Sequence, residues 1–183
     1  MKKILLLFIS LGLIFGCASA ANKRSLKGLP DGGISVDIPQ GWYKPKYEKR
    51  YLITKWEKAT LGYVFIQQRP IDRPFNHTKK KLRKRMLPLE SAGIIIDEIS
   101  SDRKIMNFKV LENTPALLDG HAGFKILFTY NNKRGFAYKT LYYGFISGNS
   151  FFNLRYSAGM QDYYDNGIAD FKQMLTSFKL VKG

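Results

Sequence analysis

The stretch from His121 to Ser157 constrains the fold more than any other part of the chain. Residues 121–130 (HAGFKILFTY) are rich in aromatic and branched side chains, which suit a pleated, half-buried surface. Asn131-Asn132-Lys133-Arg134-Gly135 makes a short connection. Residues 136–146 then read as a long strand, Ser147-Gly148-Asn149-Ser150 as a turn, and residues 151–157 as the returning strand. Three such runs joined by short turns predict an antiparallel meander. In the middle run Tyr138, Thr140 and Tyr142 share one face, and Lys139, Leu141 and Tyr143 share the other. Aromatic groups on both faces fit a sheet covered on both sides, with a ligand groove as the alternative use. After Gly159 the period changes. Tyr164, Ile168, Phe171, Leu175 and Phe178 fall on one stripe at helical spacing. Asp165 or Asn166 stands where an N-cap is expected, and Gly167 inside the helix costs about 1 kcal/mol relative to alanine.

The first half is read from the same periodicities. Gly32-Gly33 is a turn signal, Ile34, Val36 and Ile38 alternate as a strand does, and Pro39-Gln40-Gly41 ends it. Trp42 and Tyr43 offer a large anchor at the sheet rim. Further strands are expected at residues 51–56 and 63–68, with Pro70 and Pro74 marking the exit. Between Asn76 and Leu87 the pattern becomes helical, because Thr78, Leu82 and Met86 recur at spacing four. Asn76 or Thr78 would cap this helix and Pro88 would limit it. Ile94-Ile95-Ile96 reopens a strand, and Ile105, Phe108 and Val110 suggest another around residues 107–112. The sum is an α+β fold, an antiparallel sheet of at least five strands covered by helices.

The amino terminus speaks of export. Lys2 and Lys3 precede an almost unbroken apolar run over residues 4–15, and Gly16 stands before Cys17, the single cysteine. A basic end, a short apolar core and a small residue make a secretory signal, and the run is shorter than the roughly 20 residues a spanning helix needs. Ile14-Phe15-Gly16-Cys17 resembles a bacterial lipobox, with Phe15 bulkier than usual. It implies a signal peptide over residues 1–16 and an acylated Cys17. The alternative is an ordinary secreted protein cleaved near Ala18-Ser19-Ala20, with Cys17 lost. Ala18 in place of aspartate implies an outer-membrane lipoprotein facing the periplasm if the host is Gram-negative. Residues 17–30, polar and small, read as a tether, and residues 31–183 as a single domain. With Cys17 outside that domain no disulfide staples it, so packing carries the stability.

The formal net charge is +16, of which only Lys2 and Lys3 lie in the leader. Such a surface attracts anions. Export takes the chain away from nucleic acid, leaving anionic lipid, acidic envelope polymers or an acidic protein as candidate partners. Two clusters would meet them. Lys79, Lys80, Lys81, Arg83, Lys84 and Arg85 stand on the outer surface of the expected helix, and Lys44, Lys46, Lys49 and Arg50 follow Trp42-Tyr43. On a membrane-held protein each well-placed cation adds roughly 1 kcal/mol toward an anionic surface. A merely solvated face is the plainer use of the same residues.

Catalytic ingredients are thin. His77 and His121 are the only histidines, with no His-x-x-x-His or cysteine cluster, so no metal or cofactor is expected. His121 follows Asp119-Gly120 at a strand entrance and reads as a hydrogen-bonding rim residue; His77 reads as a solvated residue at a helix start. There is no Gly-x-Ser-x-Gly elbow and no glycine-rich nucleotide loop. Ser147, Ser150 and Ser157 lie in or beside hairpin strands. Asp162, Asp165 and Asp170 are explained by capping and solvation.

The order of elements is similar to a known family. GISVDIPQGWY resembles the opening G-x-x-x-x-P-x-G-W of the PsbP/Mog1-like superfamily. LLDGHAGFKILFTY and FAYKTLYYGFISGNSFFNLRYSA resemble its glycine-containing strand and following hairpin, and FKQMLTSFKL its closing helix. The resemblance covers nearly all of residues 31–182. It implies an α/β/α sandwich around an antiparallel sheet, and members that share no single activity, bacterial lipoproteins among them. The expected function is a non-enzymatic envelope lipoprotein that binds or organises an anionic or protein partner at the membrane surface. A periplasmic small-ligand or lipid-binding module is the alternative, and a hydrolase using His121 a weaker one.

Overall fold

The computed structural model describes residues 22–26, 33–44, 51–56, 61–160 and 162–181. Its strands form two antiparallel sheets. The smaller joins β1 (Asn22–Leu26), β2 (Gly33–Ile38) and β9 (Lys179–Val181) in the order β1-β2-β9. The larger has six strands in the order β3-β4-β8-β7-β6-β5: β3 (Tyr51–Ile53), β4 (Gly62–Pro70), β5 (Ile105–Leu118), β6 (His121–Asn132), β7 (Ala137–Ser147) and β8 (Ser150–Gly159). The expected meander is β6-β7-β8, with Lys139 opposite Ala158 and Tyr142 opposite Arg155 in the last pair. β5 is longer than its apolar triplet suggested. It runs to Leu118 and turns tightly into β6 through Asp119 and Gly120, both at positive φ.

Alternation along these strands builds two cores, one on each face. Leu141, Phe145, Leu154 and Tyr156 pack with Phe171 and Met174 of α2 (Tyr163–Ser177), and β2 adds Ile34, Val36 and Ile38. Phe124, Ile126, Phe128, Tyr142 and Phe151 pack on the other face with Ala92 and Ile95 of α1 (Pro88–Ser100). The architecture is an α+β sandwich with one helix on each side of the large sheet, as the resemblance implied.

α2 starts at Tyr163, earlier than expected. Asp162 occupies its N-cap position without a capping side-chain bond, and Asp165 lies in the first turn, where a carboxylate favours the helix dipole. Gly167 has a steric reason: a Cβ there would stand 2.3 Å from the Tyr156 hydroxyl. Trp42 is buried rather than set at a rim. Its indole N–H donates to Asp170 at 2.7 Å, and Lys55 Nζ meets the same carboxylate at 3.0 Å, so Asp170 is a packing partner rather than a solvated charge.

Two expectations fail between residues 76 and 100, for one connected reason. No helix forms over residues 76–87; the segment is irregular. Six cations in seven positions would set like charges at i, i+3 and i, i+4, which disfavours a helix. Lys79 and Arg85 instead adopt φ of 60° and 59°, the left-handed region that L-residues rarely enter. The helix begins where its predecessor was to end. Pro88 sits in the first turn of α1, where its missing N–H costs nothing. Ile94-Ile95-Ile96 lies inside this helix, not in a strand. Three consecutive isoleucines carry no period; the inward face shows only when Ser91 and Ala92, both buried, are counted with Ile95. Part of the stretch read as a tether is also structured, since β1 pairs with β2 from Asn22 opposite Ile38 to Leu26 opposite Ile34.

Candidate functional site

The basic segment is a clamped loop. Ile71, Phe75 and Leu82 are buried in the α1-side core, and Met86 packs against it. The Leu82 N–H donates to the Ile71 carbonyl at 3.1 Å, and the Phe75 N–H to the Lys80 carbonyl at 2.8 Å. Glu98 of α1 reaches across to accept from the backbone N–H groups of Asn76, His77 and Thr78 and from the Thr78 hydroxyl, at 2.9–3.2 Å. Burial pushes the Glu98 carboxyl up, but the N–H groups of Thr78 and His77 and the Thr78 hydroxyl outweigh it, and the group titrates below its ordinary value.

This clamp leaves Lys79, Lys80, Lys81, Arg83, Lys84 and Arg85 all exposed. Lys80 pairs with Asp97 and Arg83 with Glu90, both on α1, and Lys79 donates to the Asn76 carbonyl. Lys81, Lys84 and Arg85 have no acidic partner among the described residues. Of the second cluster, Lys44 is exposed beside the Tyr43–Thr54 bridge, while Lys46, Lys49 and Arg50 lie outside the described residues, as does Cys17. The first cluster is anchored in the α1-side core through Leu82, and Trp42, two residues before Lys44, belongs to the α2-side core.

Two clefts open at the rims. The first, about 580 Å³, brings together Asp119, His121, Ser147 and Ser150, the neighbourhood a hydrolase would need. Asp119 and Ser150 are engaged by neighbouring elements. The hydrogen bond from Lys179 (2.8 Å) holds the Asp119 carboxyl below its ordinary value against burial, helped by the Leu180 N–H (2.9 Å). Ser150 accepts from Gln68 Nε2 at 3.0 Å. The His121 ring stacks on Phe145, centroids 4.9 Å apart, and no hydrogen bond joins it to Ser147 or Asp119. The carboxylate therefore ties β9 to the β5–β6 turn. His77, on the loop rather than at a helix start, faces Asp102 at 3.7 Å.

The second cleft, about 390 Å³, lies below the carboxyl end of α1, on the part of the sheet that helix leaves bare. Ser157 and Arg155 of β8, Thr140 of β7 and Tyr130 of β6 meet there. Thr140 Oγ1 donates to Ser157 Oγ at 2.8 Å, and the Tyr130 hydroxyl stands 3.5 Å from the same oxygen. Burial, with the neighbouring Tyr63, pushes the Tyr130 phenol up, so it stays protonated. Arg155 escaped the sequence reading, although a signal existed: it is the one charged residue in the otherwise apolar and small run of β8. The space between the sheet and α2 is filled by Tyr156, Phe171 and Met174, each fully buried. Among the described residues no three His, Cys, Asp or Glu side chains group as metal ligands, and no helix is long and apolar enough to cross a membrane.

No protein-family model matches the chain, and no curated protein matches it. Solved structures do. Cyanobacterial PsbP (CyanoP) from Synechocystis sp. PCC 6803 superposes with a TM-score of 0.58 at 12% identity, covering 90% of this chain and 96% of its own. LpqN of Mycobacterium tuberculosis, described as involved in cell envelope biogenesis, gives 0.63 at 11% identity, covering 88% and 92%. The Ran-binding protein Mog1p of Saccharomyces cerevisiae gives 0.56 at 8%, covering 89% and 97%. At these identities the likeness is one of fold. The architecture is PsbP/Mog1-like, and function has to be argued from the chain's own residues.

Proposed function

We propose that this chain is a non-catalytic binding module of the bacterial envelope, anchored through acyl chains on Cys17 and engaging an anionic or acidic protein partner at the membrane surface. The observation that carries the reading is the clamped loop. Glu98, Phe75 and Leu82 fix an irregular backbone whose six cations all point outward. Fixed charges lose less entropy on contact than charges on a mobile segment. The fold neighbours fit this reading, since the same architecture serves in a Ran-binding protein and in one involved in cell envelope biogenesis. In the larger cleft Lys179 holds the Asp119 carboxylate and Gln68 donates to Ser150, which supports a binding role over a hydrolase.

The anchor and the contact are tested separately. Intact mass of the membrane-extracted protein should show acyl chains that vanish in Cys17→Ala; an unacylated mass beginning beyond Cys17 would make this a secreted domain. The full chain with Cys17→Ala should bind phosphatidylglycerol vesicles more tightly than phosphatidylcholine vesicles. Replacing Lys81, Lys84 and Arg85 by serine should weaken that binding roughly a hundredfold, at about 1 kcal/mol per cation. Equal binding by the triple variant would remove the loop from the proposal.

A further inference from the structure

Arg155 is the least accounted-for charge in the described part of the molecule. It stands near the middle of the large sheet, on the α1 side, with Phe65 and Tyr142 as its cross-strand neighbours and no carboxylate opposite. Its guanidinium lies over the Phe65 ring, Cζ 4.7 Å from the centroid. Its Nε is buried without a hydrogen-bond partner, and no ion pair or hydrogen bond joins the side chain to any described residue. A half-buried cation left this way costs free energy unless an anion meets it.

The two acids that line the cleft are already engaged. Glu98 holds the backbone of residues 76–78, and Asp102 accepts from the Lys104 N–H at 2.9 Å while facing His77. They still repel a multiply charged anion, as does the negative end of the α1 dipole. A monoanion with two oxygens in a plane matches the guanidinium fork and suffers least. The hydroxyls of Ser157 and Tyr130 stand along the same floor. Phe128 stands beside Thr140 on that floor, and Ile99 and Ile105 add apolar surface among the charged residues Glu98, Asp102 and Lys104 that also line the cleft. A volume of about 390 Å³ suits a small molecule.

We propose that this cleft binds a small organic carboxylate, its charge on Arg155 and its compact apolar body against Ile105 and Phe128. The site uses none of the loop's outward cations and goes beyond the surface role proposed above.

The test is a titration of the ¹⁵N-labelled full chain, Cys17→Ala, with benzoate and isobutyrate as probes and benzamide as the uncharged control. The expected result is saturable shifts centred on the amides of Tyr63, Tyr130, Arg155 and Ser157, with benzamide at least tenfold weaker. Arg155→Met keeps contact with the Phe65 ring and removes the charge, and should weaken benzoate at least tenfold. If that variant does not fold, Arg155→Lys keeps the charge without the fork and should weaken it about fivefold. Absence of saturable shifts with both carboxylates overturns the proposal. So do shifts centred on residues 79–85 that persist in Arg155→Met, and so does inorganic phosphate moving the same amides at lower concentration than benzoate.

Discussion

The two faces of the six-stranded sheet are finished differently. On one, α2 and the small sheet close over a core in which Phe171, Met174, Leu154 and Tyr156 are fully buried. The Tyr156 hydroxyl donates to the Tyr163 carbonyl at 2.6 Å and ties β8 to the start of α2. On the other, α1 packs over β5 and β6, and the rest of the cover is a loop held by three apolar side chains and one carboxylate. The first face is filled between the sheet and α2, and its cleft lies at the rim beside β9. The second carries the outward cations and the cleft at Arg155. A complete helical cover serves stability; an incomplete one leaves a charged residue in a half-buried setting where a ligand can meet it.

The difference is sharpest where side chains are removed. Phe171→Ala should cost about 4 kcal/mol, since buried phenylalanine truncations lose both transfer energy and packing. Leu82→Ala should cost about 2 kcal/mol, because a loop collapses around a small void more readily than a helix does. Urea unfolding measures both, and equal costs would mean the loop is as integral as α2. Gly167→Ala comes next. Helix propensity alone would favour alanine by about 1 kcal/mol, yet the Cβ would meet the Tyr156 hydroxyl at 2.3 Å, so a net loss of about 1–2 kcal/mol is expected. A gain in stability would show that α2 slides freely on the sheet.

Glu98→Gln probes the loop with a smaller effect, about 1 kcal/mol, read as faster amide exchange at Asn76, His77 and Thr78. The pH dependence has a definite sign. The folded-state carboxyl titrates below its ordinary value, so its contribution is present in full above the unfolded value, near 4.3, and is lost as pH falls through the folded value. Exchange at those amides should rise, relative to its intrinsic rate, on acidification below about pH 4, and the rise should be absent in Glu98→Gln. The smallest effect belongs to serine at Lys81, Lys84 and Arg85. These exposed cations lack acidic partners among the described residues, so stability should stay within about 0.5 kcal/mol while vesicle binding falls. A large loss of stability would make them structural.

The sequence by itself determined the elements whose pattern is local. The alternation of Ile34, Val36 and Ile38, the meander over residues 121–157 and the stripe from Tyr164 to Phe178 each repeat at the period of the structure they form. The cationic cluster was legible in composition. What only the tertiary structure decided lies in residues 71–100 and at Arg155. Spacing four at Thr78, Leu82 and Met86 suggested a helix, but charge repulsion and the reach of Glu98 from a later element selected a loop. Pro88 was expected to end a helix over residues 76–87 and instead opens α1, because its missing N–H costs nothing in a helix's first turn. Arg155 was one basic residue among many until β4 and β7 placed Phe65 and Tyr142 beside it and no carboxylate. Periodicity records which face a residue takes; only the packed neighbours decide whether its charge is met.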